Sequence, residues 1–178
     1  MMKKVLAMVL ATLMCAAMFT ACGAKEPAAE VKGETFDAGN VSALVPKGWK
    51  AFPVSDLFAE EENATDPDAL QLCKGAKTEW DLFSKPYMQI NHYGPDSAMM
   101  ETSKDWYDDA EDLEPLQIGG RTWKGFTAKS FDVKIITLWA EDGEHQYQLS
   151  IWPEQSDGKI SLDDADVQAI IASIQPAA

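Results

Sequence analysis

From residue 34 onward, apolar and polar residues alternate in short runs rather than in long blocks. In ETFDAGNVSALVPKGW, Phe36 precedes an Ala-Gly-Asn turn, Val41, Ala43 and Val45 follow it, and Pro46-Lys47-Gly48 closes the second run. Period two on both sides of turn residues predicts a β-hairpin. DALQLCKG and YMQINHYG predict two more strands. In the second, Met88, Ile90 and His92 share one face while Tyr87, Gln89, Asn91 and Tyr93 share the other, because successive strand side chains point to opposite sides. LEPLQIGGRTWKGFTAKS predicts a strand pair broken at Gly119-Gly120, or one bent strand. DVKIITLWAEDGEHQYQLSIWPE predicts a hairpin around Glu141-Asp142-Gly143-Glu144, with Asp-Gly as the turn signal. In its second arm His145, Tyr147, Leu149 and Ile151 alternate with Gln146, Gln148, Ser150 and Trp152.

Two stretches carry a helical period. SAMMETSKDWYDDA has Ser97 as a possible N-cap, and Met99, Ser103, Trp106 and Ala110 fall near one stripe. In SLDDADVQAIIASIQP, Ser161 and Asp164 have capping-box spacing, and acids crowd the first turn, where the helix dipole favours them. Val167, Ile170, Ile171 and Ile174 then follow the i, i+3, i+4, i+7 rule, and Pro176 ends the run. Four large aliphatics on one stripe need a sheet to lie on. The expected domain is α+β, an antiparallel sheet of five to seven strands with packed helices. There is no internal repeat.

The first 21 residues follow another grammar. Lys3 and Lys4 precede an almost wholly apolar run from Val5 to Ala21, with small residues before Cys22, which is the layout of a secretory signal. Phe19-Thr20-Ala21-Cys22 resembles the signal of bacterial lipoproteins, with Phe19 where Leu or Val is usual. That resemblance implies a diacylglycerol on the Cys22 sulfur, cleavage that leaves Cys22 first, and acylation of its amine. Two or three acyl chains hold a soluble domain at a bilayer, where one does so only marginally. The alternatives are a plain signal peptide and a short transmembrane anchor, the run being a little short of the roughly 20 apolar residues a span needs. Cys15 lies inside the run and is discarded with it. Residues 22–33, the lipidated cysteine and GAKEPAAEVK, read as a flexible tether, and 34–176 as a single domain.

Charge and cysteine count narrow the partners. The chain carries 15 basic and 29 acidic residues, and loss of Lys3 and Lys4 leaves 13 against 29, a net charge of −16. A surface this acidic repels nucleic acid and anionic headgroups, so the membrane partnership expected runs through acylated Cys22, with no nucleic acid. Cys73 is the one other cysteine of the mature chain, which leaves no intramolecular disulfide, and ALQLCKG favours its burial in a strand.

Three further pieces share an order: VSALVPKGWKAF, an apolar strand ending in Pro-x-Gly-Trp; LQIGGRTWKGFTAKS, a glycine pair before an aromatic-bearing strand; and HQYQLSIWPE, followed by the acid-capped helix ending Ile-Ile-x-Ser-Ile. Together they resemble small bacterial lipoproteins of the PsbP-like fold, which is shared with an extrinsic photosystem II subunit and a Ran-binding import factor. The resemblance implies a PsbP-like domain that acts by binding partners rather than by covalent chemistry. Its motifs are a turn, a glycine pair and a helix face, and no family functional residue maps onto this chain.

Catalytic and cofactor signatures are absent from the sequence. No Gly-x-Ser-x-Gly elbow, Ser-x-x-Lys set, phosphate loop or dinucleotide fingerprint occurs, so neither an enzyme nor a cofactor is expected. His92 and His145 stand at no zinc-ligand spacing; only if their strands were neighbours would they form a pair for a transition metal. The acid runs DLFAEEENATDPDAL and DWYDDAEDLE lack a calcium-loop pattern. The six tryptophans include Trp49, Trp106 and Trp139, expected in the core. Trp152 differs, because it shares its face with Gln146, Gln148 and Ser150. With Tyr87, Gln89, Asn91 and Tyr93, this makes a polar-aromatic surface suited to a protein hot spot or to a planar or sugar-like ligand. The reading is a membrane-anchored, extracytoplasmic binding or assembly module using Tyr87, Gln89, Asn91, Tyr93, Gln148 and Trp152. The alternatives are a solute- or glycan-binding lipoprotein and a hydrolase.

Overall fold

The computed structural model of the chain describes residues 31–177. The signal run, Cys22 and the tether up to residue 30 lie outside the described residues.

The strands are β1 (Gly33–Asp37), β2 (Val41–Pro46), β3 (Trp49–Ser55), β4 (Thr65–Lys74), β5 (Tyr87–Tyr93), β6 (Asp108–Asp112), β7 (Leu116–Ile118), β8 (Arg121–Ser130), β9 (Val133–Asp142), β10 (His145–Trp152), β11 (Glu154–Gln155), β12 (Gly158–Lys159) and β13 (Gln175–Pro176). A single helix, α1 (Ala165–Ser173), and two 3-10 turns, Glu79–Phe83 and Lys104–Trp106, complete the described elements. An eight-stranded sheet runs β3-β4-β5-β10-β9-β8-β6, with β7 also paired to β8; β1-β2-β13 forms a second sheet and β11-β12 a small ribbon. Every pairing is antiparallel.

This corrects the expected α+β, PsbP-like domain with packed helices. The described residues are β-rich, and the one α-helix among them has nine residues. The helix expected over 97–110 does not form. Its segment crosses to the sheet edge, makes the short turn at Lys104–Trp106 and enters β6. Thr102, Ser103 and Asp105 offer the backbone alternatives to helix bonds: Ser103 Oγ accepts from the Asp105 N–H at 3.3 Å. The stripe was also thin, with a serine among its four positions. Trp106, expected in the core, is 67% exposed, and Trp139 is only half-buried, whereas Trp49 is buried.

One face of the large sheet is the core. Leu70, Leu72, Met88, Ile90, Leu138, Leu149 and Ile151 are buried there, beneath β2, the α1 residues Val167, Ile170 and Ile171, and Ile174 just beyond the helix. Each such aliphatic contributes roughly 1.5–3 kcal/mol on burial. Arg121 fastens the far end of the helix: its Nη1 donates to the Ile174 carbonyl at 2.7 Å, its Nε to Asp142 at 2.9 Å, and it lies over the Tyr147 ring. Gly119 and Gly120 both have positive φ (63° and 78°), the turn geometry that joins β7 to β8. Gly119 also lies so close to the Ala172 backbone that a Cβ would clash with it. The opposite face of the sheet is covered only in part, by a smaller cluster of Phe126, Ala128 and Ile135 with Tyr107, Trp139 and Trp152 packed against it.

Candidate functional site

That second face carries the polar-aromatic surface. Register places Tyr87 opposite Trp152, Gln89 opposite Ser150, Asn91 opposite Gln148 and Tyr93 opposite Gln146, with Gln71 of β4 on the other side of Gln89. The Tyr87 and Trp152 rings stack with centroids 4.3 Å apart and planes 9° from parallel. Beside them runs a directed amide row: Gln71 Nε2 donates to Gln89 Oε1 at 3.0 Å, and Gln89 Nε2 donates to Asn91 Oδ1 at 3.0 Å. Burial, and next to it the Cys73 thiol, pushes the Tyr87 phenol up to about 12, so at neutral pH it is a hydrogen-bonding hydroxyl. Burial and then Asp66 raise Tyr93 as well.

The segment after β5 lies over one end of this face. Gln148 is 7% exposed, its Nε2 donating to Thr102 Oγ1 at 2.6 Å and its Oε1 accepting from the Tyr93 hydroxyl at 3.4 Å. The Met99 N–H donates to Gln146 Oε1 at 3.0 Å. Gln148 is therefore spent internally, while Tyr87, Gln89, Asn91, Tyr93 and Trp152 remain half-buried and reachable. Next to the covered end, a cleft of about 380 Å³ opens over Trp139, rimmed by Glu101, Arg121, Lys124 and Glu141.

A second constellation lies on the core face at the other side of β5. Because β5 and β10 are neighbours, His92 Nε2 meets His145 Nδ1 at 2.9 Å, and His92 Nδ1 meets Asp68 Oδ1 at 2.8 Å. An ionised carboxylate accepts from Nδ1–H; the Nε2 of a neutral His92 then accepts from His145 Nδ1–H, and His145 Nε2 is left as an acceptor. These side chains line a shallow cleft with Asn40, Asp96 and Ser97. The carboxylate that a hydrolase needs is present, yet among the described residues no serine or cysteine hydrogen-bonds either imidazole. No three His, Cys, Asp or Glu side chains among the described residues form a metal-holding group. The network also fastens the fold: Asp68 Oδ2 accepts from Asn40 Nδ2 at 2.9 Å, and the Asn40 carbonyl accepts from the Ala177 N–H at 2.9 Å.

Sequence reasoning grouped the β5 and β10 residues but missed Gln71, Thr102 and Asp68. Alternation on β4 was a usable signal for Gln71, since it repeats the β5 pattern on a neighbouring strand. Thr102 and Asp68 belong to contacts made across 46 and 24 residues, for which the linear pattern holds no cue. Cys73 is buried, as its apolar neighbours suggested, and burial pushes its thiol up to about 11.

No family model matches the chain, and no curated protein matches it. Among solved structures, the chain is similar to one from Bacteroides thetaiotaomicron at 12% identity and a TM-score of 0.43, over 82% of this chain and 49% of that one. The chain thus spans about half the length of the solved structure that it matches.

Proposed function

We propose that this protein is a lipid-anchored extracytoplasmic module that binds a protein partner through the β5–β10 face, without covalent chemistry. The Tyr87–Trp152 stack carries the reading. It commits one face of each ring to the other, and Trp152 also packs against the Phe126 cluster, so the half-buried pair presents mainly ring edges and a phenol hydroxyl. Ring edges beside an amide row fit a protein surface, where aromatic anchors and satisfied polar neighbours concentrate binding energy. A sugar ring would need a free aromatic face, so a glycan is the second reading, supported by Trp139 and its charged rim.

Photo-crosslinking from position 89 in intact membranes tests the proposal. A discrete adduct that Y87A or W152A reduces at least tenfold, a loss of about 1.4 kcal/mol or more, is the expected result. Failure to crosslink, together with saturable quenching of tryptophan emission by a glycan, would transfer the function to the Trp139 cleft. The anchor is checked independently by the mass of the N-terminal peptide, which should begin at Cys22 and carry diacylglycerol.

A further inference from the structure

We propose that the end of the large sheet bearing Trp80, Phe83 and Phe131 is a membrane-contact face that rests on the bilayer holding acylated Cys22. The inference deepens the anchored reading above and rests on it.

Register fixes what lies at that end. Trp49, Lys74, Tyr87, Trp152, Val133 and Asp108 are terminal residues of their strands there, as the register from strand to strand shows. The loops beyond them therefore share one end of the molecule, among them the 75–86 segment and the 131–132 turn. Both hold aromatics with no packing role. Trp80 and Phe83 are 78% and 80% exposed and stacked on each other at 6.0 Å, and Phe131 is 96% exposed at the tip of the β8–β9 hairpin. Phe131 and Asp132 hold φ of 50° and 65°. Such values suit Asn-Gly, so a phenylalanine there spends stability to aim a large ring at solvent.

The chain's own path selects the occupant. Gly33 pairs with Pro46, and the Lys47 N–H donates to the Lys32 carbonyl at 3.3 Å, beside the turn into β3. The described chain thus enters at the same end. Ten residues separate Cys22 from Gly33, which span at most about 36 Å even when fully extended. The point where the described chain meets the tether thus lies at the end that bears Trp80, Phe83 and Phe131.

Charge is mixed at this end: Lys32, Lys47, Lys77, Lys85, Lys134 and Lys159 are interspersed with Glu79, Asp81, Asp132, Glu154 and Asp157. The opposite end also exposes an apolar pair, Leu57 and Phe58, but in a loop with Asp56, Glu60, Glu61 and Glu62. Aromatic side chains favour the headgroup level of a bilayer, lysines are drawn to its surface, and carboxylate clusters are repelled. The loop whose acids have no lysines among them points outward.

The test uses the acylated chain, purified in detergent and reconstituted into phosphatidylcholine vesicles with or without brominated acyl chains. Bromine quenches only tryptophans that approach the lipid. Expected is a lower emission in brominated vesicles, at least half of which W80F abolishes, with a further decrease in F83A/F131A. These side chains make no buried contact, and an unchanged near-ultraviolet circular dichroism spectrum confirms folding. Equal emission of the acylated wild type in both vesicles, or quenching that W80F leaves unchanged, overturns the membrane face while leaving the anchor standing. A Cys22 peptide without acyl groups overturns both.

Discussion

Cys73 shows how one buried residue acquires a consequence. It pairs with Tyr87 inside the sheet, and burial, then Asp81, raise its thiol from 9.0 to about 11, with Lys85 opposing them. The folded pKa lies above the unfolded one. Folding therefore holds the proton more tightly, the stabilisation is complete below pH 9, and it is lost as pH rises through the folded value. Chemical denaturation should show stability falling by on the order of 2 kcal/mol between pH 9 and 11, and C73A should flatten that slope. At pH 8 the native thiol should resist iodoacetamide and react only once unfolded. Burial of Cys73 was legible from ALQLCKG, because neighbouring apolar residues on a strand report a covered position. The Asp68–His92–His145 chain was not. Its members are brought together by register between β4, β5 and β10, and nothing near His92 in the sequence names Asp68.

At the scale of elements, α1 is held at both ends, and its first turn is the more informative. Trp49 Nε1 donates to Asp166 Oδ2 at 2.7 Å, and Lys74 Nζ sits 2.9 Å from the same oxygen. Burial opposes ionisation of Asp166, but the Trp49 and Lys74 bonds outweigh it and hold the carboxyl below its ordinary value. W49F removes a hydrogen bond to a charged group and should lower stability by about 2 kcal/mol at pH 7, read from denaturant midpoints. Because the folded pKa is depressed, that contribution is present above pH 3.8 and lost as pH falls through the folded value. The gap between W49F and wild type should therefore narrow in acid. Strands and this helix were readable because period two and period 3.6 survive in single elements. The 97–110 stretch was not, because its weak stripe lost to Ser103 capping and to pairing of β6 along β8. β6 itself, DDAED, has no β-forming pattern. It is recruited by an open edge and offset by Lys129 on Asp109 and Lys104 on Asp112.

For the whole molecule, the balance between sheet and helix was the part the chain did not spell out. The apolar stripe of α1 and its C-cap Ile174 requires a sheet beneath it, but sets no limit on how many strands that sheet recruits. Net charge is readable at this scale and has a measurable effect. A formal charge of −14 over the full chain makes the acidic body repel itself, and salt screens that repulsion. Raising ionic strength from about 0.02 to about 0.5 M should lift Tm by about 2–4 °C in a calorimetric scan, an effect near 1 kcal/mol for a domain of this size. A Tm that falls with salt would show that attractive ion pairs outweigh the repulsion. The three-stranded sheet has a mechanical consequence. β1 and β13 both lie antiparallel to β2, so they run in the same direction. Chain enters the first at one pole of the body and leaves the second at the other. Tension between those poles slides both strands lengthwise along β2 and loads all their backbone bonds together, a shear geometry that withstands far more force than unzipping one bond at a time.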